Sequence, residues 1–132
     1  MGDRVSVSFV KVGKDYKGKA YTRESVAFFA HWGGTEFLGR VQAYLRELHK
    51  KIKRAGRKGI MPIDRMEPGT VMVDFIRWLT CKMPWVESDY YLGTDENDGD
   101  NSDNGHHRFD VDSGSEYYGP AEFKGIGKTK EE

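Results

Sequence analysis

The sequence predicts an α+β domain: an antiparallel sheet of about four strands with two helices packed on one face, in the order ββααββ. Three observations predict it. Side chains alternate with a period of two near both ends: Val5, Val7 and Phe9 alternate with serines, and His107, Phe109 and Val111 alternate with Arg108, Asp110 and Asp112. Between these stretches the period changes to three and four, through Phe37, Val41, Tyr44, Leu45, Leu48 and Ile52. The 132 residues suit one domain, expected over 1–124, with 125–132 as a flexible tail.

The first strand is "RVSVSFVKV", with Ser6 and Ser8 leaving the face opposite the valines. "GKDYKGKAYTRE" carries Gly13, Gly18 and several lysines and reads as a loop or loose turn. "SVAFFAHW", Ser25–Trp32, is the second strand, expected to pair antiparallel with the first because consecutive strands usually neighbour each other. Gly33–Gly34 ends it. A helix of about twenty residues follows, with Thr35 as N-cap, Glu36 in the first turn, basic residues in the last and Gly56 as the stop.

Pro68 suits the first turn of a second helix, where its missing N–H costs nothing. "TVMVDFIRWLT" then places Val71, Phe75, Trp78 and Leu79 on one face and Asp74 with Arg77 on the other. The competing reading is a strand at 70–75, because Thr70, Val71 and Val73 are β-branched. "YYL" at 90–92 and "HRFDVD" at 107–112 are the last two strands, which makes the segment between them a hairpin connection.

Net charge is zero, from 21 basic and 21 acidic residues, but the charge is polarised. Arg46–Glu67 carries eight basic residues against three acidic, and Glu87–Asp112 nine acidic against one arginine. The two regions suit pairing within one molecule, self-association, or separate protein partners. The balance argues against generic nucleic-acid binding. Cys81 is the only cysteine, so no intramolecular disulfide is possible and no cysteine cluster exists for zinc. With no signal-peptide core and no apolar run long enough to span a bilayer, the expected location is the cytoplasm, away from membranes.

Thr94–Gly105 holds five carboxylates and three asparagines. Calcium or magnesium takes such oxygen ligands, so Asp98, Asp100 and Asp103 are candidate metal ligands. The helix–loop–helix calcium pattern fails in register, because counting from Asp100 puts Val111 where the bidentate glutamate belongs. Asp and Asn also build turns without any ion. His31 and His107 are candidate imidazole ligands if the second and last strands lie together. Lys50, Lys51, Lys53, Arg54, Arg57 and Lys58 form a basic run that suits phosphates or an acidic partner, with no aromatic stripe among them. Trp32 in "HWGG" is a candidate stacking surface at a strand-to-helix junction. No nucleophile stands beside a base in the sequence. The leading expectation is a small non-catalytic binding or accessory domain presenting an acidic hairpin at 94–105. The alternatives are a metal-dependent enzyme or cation-binding protein, and a nucleic-acid-binding protein using the 50–58 patch.

Overall fold

The computed structural model describes residues 3–14, 16–58, 66–83, 90–94 and 101–118, with backbone alone at 56–58. Its elements run β1 (Val5–Lys14), β2 (Ala20–Glu24), β3 (Ala27–Ala30), α1 (Gly34–Lys58), α2 (Pro68–Thr80), β4 (Tyr90–Gly93) and β5 (His106–Asp110). This is the expected α+β fold, with both helices on one face of the sheet. The expected tail at 125–132 lies outside the described residues.

β1 is the central strand. Along one edge it pairs antiparallel with β2 and β3, and along the other it pairs parallel with β5. β4 adds antiparallel to β3, so the order across the sheet is β5, β1, β2/β3, β4. The segment "GKDYKGKAYTRE" is therefore not all loop, because Ala20–Glu24 joins the sheet against Val10–Lys14. Tyr21 and Thr22 are the strand formers outweighed in the sequence by the glycines and lysines around them.

β2 and β3 are one strand broken by a bulge. Val10 faces Glu24 and Val7 faces Phe28, so three steps on β1 match four on its partner. Ser25 fills the break: its N–H donates to Phe9 O, and its Oγ accepts from Phe9 N–H and donates to Val26 O. One extra residue reverses the alternation. Ala27 and Phe29 leave the face away from the helices; without the bulge, Ser25 would share that face and Glu24 would point at the apolar core.

The core lies between the sheet and the helices. Val5, Val7, Phe9, Phe28 and Phe109 meet Phe37, Val41, Tyr44 and Leu45 of α1 and Val71, Met72 and Phe75 of α2. Phe75 is its centre, with ring centroids 5.3 to 6.2 Å from Phe9, Phe28, Phe37, Tyr44 and Trp78. Burial on this scale settles 70–75 as helix over β-propensity. Pro68 opens α2 as expected, and Arg77 pairs with Asp74 at 2.9 Å. α1 begins at Gly34 and runs through Gly56 to Lys58, so Thr35 lies inside it and Gly56 does not stop it.

The hairpin expected at 94–105 is not formed. β4 and β5 lie at opposite edges of the sheet and run the same way, so their connection is a crossover past β3 and β1. Period-two patterning marks a strand but does not name its partner. Ser6 and Ser8 leave the far face of the sheet as their alternation predicts, yet both are 0% exposed there.

Candidate functional site

The "HWGG" junction is held to the start of β1. Asp3 N–H donates to His31 O, and Gly34 N–H donates to Asp3 O. A side chain on Gly33 would meet Cβ of Phe37 at 2.8 Å and of Ala30 at 2.9 Å. Gly34 has φ +60° with the Asp3 carboxylate against its Cα. Both glycines are required by the tight entry from β3 into α1.

Beside this junction a cleft of about 430 Å³ opens between the first turns of α1 and β4. Phe37, Tyr90 and Met83 line it with Gly33, and Trp32, Glu36 and Arg40 complete its wall. Trp32 is 60% exposed. Phe37 of α1 reaches Tyr90 of β4 at the floor of the cleft, with ring centroids 6.2 Å apart. Glu36 and Arg40 stand one helical turn apart with opposite charge. The described lining residues include no serine, cysteine or histidine.

Of the acidic segment, 95–100 lies outside the described residues, and with it Asp98 and Asp100. The end of the segment packs on β1. Asp103 accepts from the backbone N–H and Nε of Arg4, both at 3.0 Å. The Arg4 side chain, then its amide, hold the Asp103 carboxyl below the usual carboxylate range, and His31 adds to this electrostatically. Asn104 donates to Asp3 Oδ1 and Arg4 O, and Asn101 to Ser6 Oγ.

His31 is thus near Asp103, but β1 separates its strand from that of His107. Nδ1 of His107 lies 2.7 Å from Glu116 Oε2 and Nε2 lies 2.7 Å from Asn104 O, so both ring nitrogens are engaged. Among the described residues no group of three or more His, Cys, Asp or Glu side chains is placed to hold a metal ion.

Lys50, Lys51, Lys53 and Arg54 are exposed on the second half of α1, while the side chains of Arg57 and Lys58 are not described. Asp103 sits by the start of β1, where α1 also starts. His49, further along α1, reaches Val111 O beyond the end of β5. The basic run and the described end of the acidic segment therefore occupy opposite ends of the domain.

A second polar centre forms only through the pairing of distant strands. On the far face, His106 Nδ1 lies 2.7 Å from Ser6 Oγ, and its Nε2 lies 3.0 Å from Ser8 Oγ and 3.3 Å from Glu24 Oε2. Ser8 and Arg108 Nε both donate to Glu24 Oε2, at 2.5 and 3.0 Å. The His106 and Glu24 side chains are 5% and 4% exposed. With Nε2 protonated the bonds agree: Ser6 O–H donates to Nδ1, and Nε2–H points at Ser8 and Glu24. This is not a nucleophile triad. There the carboxylate holds one imidazole nitrogen and the serine the other; here Glu24 and Ser8 share Nε2, and both serines are sealed. The available sequence signal was the shared two-residue spacing of Ser6/Ser8 and His106/Arg108, which the parallel register aligns.

No protein-family model, curated protein or solved structure matches the chain. No helix among the described residues is long and apolar enough to cross a membrane.

Proposed function

We propose that the chain is a non-catalytic binding domain that takes an apolar side chain of a protein partner into the cleft beside Trp32. The observation that carries this reading is the indole of Trp32, 60% exposed at the edge of a cleft lined by Phe37, Tyr90 and Met83. About 430 Å³ falls in the size range of ligand-binding clefts. Exposed tryptophans in such settings are common anchors of recognition. Glu36 and Arg40 offer an acceptor and a donor to the polar groups flanking the anchor, and the described lining offers no serine, cysteine or histidine.

Selecting short peptides that bind the full chain, then mapping amide and indole shifts by NMR, tests the reading. Shifts should centre on Trp32, Gly33, Arg40 and Tyr90. Trp32→Ala should weaken binding at least tenfold while the circular dichroism spectrum is kept. Equal binding by that variant, or shifts centred elsewhere, would sink it.

A second reading has its own observation. Lys51, Arg77 and Lys82 line a groove of about 460 Å³ together with Trp78 and Glu47. The fold thus supplies the aromatic that the 50–58 run lacks, a combination suited to single-stranded nucleic acid. Binding of a single-stranded oligonucleotide should weaken steeply with salt, and a signal indifferent to salt would end this reading. A divalent cation on 94–105 is a separate proposal; calcium or magnesium should then raise the unfolding midpoint, and an unchanged midpoint would end it.

A further inference from the structure

The donors that reach the Glu24 carboxylate converge on a single oxygen. Ser8 Oγ, Arg108 Nε and His106 Nε2 all approach Oε2. The other oxygen, Oε1, is buried and meets no donor among the described residues. Its side chain is 4% exposed, on the face of the sheet away from the helices. Buried carboxylate oxygens are almost always hydrogen-bonded, because leaving one bare forfeits its hydration with no return.

We propose that Glu24 Oε1 is a binding site for a neutral hydrogen-bond donor held inside the far face of the sheet, and that the donor is a water molecule. Charge selects the class. Arg108 already lies against the Glu24 carboxylate, so an added cation would leave a net buried charge in a closed site. Enclosure selects the size, since neither Glu24 nor its neighbours Ser6 and Ser8 offer a surface to a larger molecule. The bulge at Ser25 supports the assignment. It alone turns Glu24 from the apolar core to this face, where its second oxygen can meet a polar occupant.

A crystal structure of the full chain at a resolution that shows ordered water tests this directly. A single peak at hydrogen-bond distance from Oε1, about 2.6–3.2 Å, is the expected result. A carboxylate rotated to take protein donors on both oxygens, apolar packing against Oε1, or density larger than one water would overturn it. In solution, oxygen-17 relaxation dispersion counts long-lived internal waters. Glu24→Met should show one fewer than the wild type, and Glu24→Gln, which keeps a polar group at the site, should retain it. An unchanged count in a folded Glu24→Met chain would also overturn the proposal. If that variant does not fold, the wild-type structure decides.

Discussion

Glu24 Oε2 lies 3.3 Å from His106 Nε2, although the two residues are 82 positions apart and stand on strands separated by β1. The contact passes over Ser8, which bonds to both. It depends on two tertiary choices: the parallel pairing of β5 with β1, and the bulge that turns Glu24 outward.

Removing the imidazole strands several buried partners at once. His106→Ala leaves Ser6, Ser8 and Glu24 each short of a hydrogen bond on a sealed face, so the expected loss is on the order of 2–4 kcal/mol. Ser6→Ala strands only Asn101 Nδ2 and His106 Nδ1 and should cost less, about 1–2 kcal/mol. Urea unfolding of both variants checks the order. A His106→Ala loss no larger than that of Ser6→Ala would show that the cluster contributes little.

Two glycines near the start of α1 should respond with opposite sign. Gly34 has φ +60° and the Asp3 carboxylate where a Cβ would go, so Gly34→Ala should destabilise by roughly 1–3 kcal/mol. Gly39 lies inside the helix with nothing within 4 Å of its added Cβ. Gly39→Ala should therefore stabilise by about 0.5–1 kcal/mol. Thermal unfolding of the pair reads both signs in one experiment.

The Arg4–Asp103 pair sets an acid dependence. Its carboxyl is held below the ordinary value of 3.8, first by the Arg4 side chain and then by the Arg4 amide. A depressed acid contributes stability that is present above the unfolded value and is lost as pH falls through the folded one. Asp103→Asn should thus be less stable than the wild type at pH 6, with the gap closing below about pH 4. A gap that is constant from pH 6 to pH 2.5 would contradict the assignment.

Tyr44 sets an alkaline dependence. Burial, then the 2.7 Å bond its hydroxyl donates to Asp74, push its phenol well above the ordinary value of 10.0. The unfolded phenol ionises first, so this contribution is complete below pH 10 and declines as pH rises further. Tyr44→Phe should cost about 1 kcal/mol at neutral pH for the lost bond. Its stability should also fall less steeply than that of the wild type between pH 10 and 11.5. Parallel urea midpoints across that range check it.

The elements themselves were legible because they are local. The period-two run at Val5–Phe9, the helical repeat from Phe37 to Ile52, Pro68 at a helix start and the Asp74–Arg77 pair depend on backbone geometry within a few residues. β2 was hidden because lysines and glycines outweigh its two strand formers, and pairing with β1 supplies what propensity lacks. Trp32 in "HWGG" is legible as a stacking surface, but the cleft around it needs Tyr90 and Met83, which arrive from distant parts of the chain.

The fold class, the two helices of the described residues and the polarised charge all follow from pattern or composition. Strand partnership belonged to the tertiary structure. Alternation is equally satisfied by a hairpin and by a crossover, and only packing both edges of β1 beneath two helices placed β4 and β5 at opposite sides. The same holds for the far face. Ser6 and Ser8 read as solvent-facing polar positions until His106, Arg108 and a bulge-turned Glu24 closed over them. A side chain's burial depends on what the rest of the chain brings to it, and that is a property of the assembled sheet.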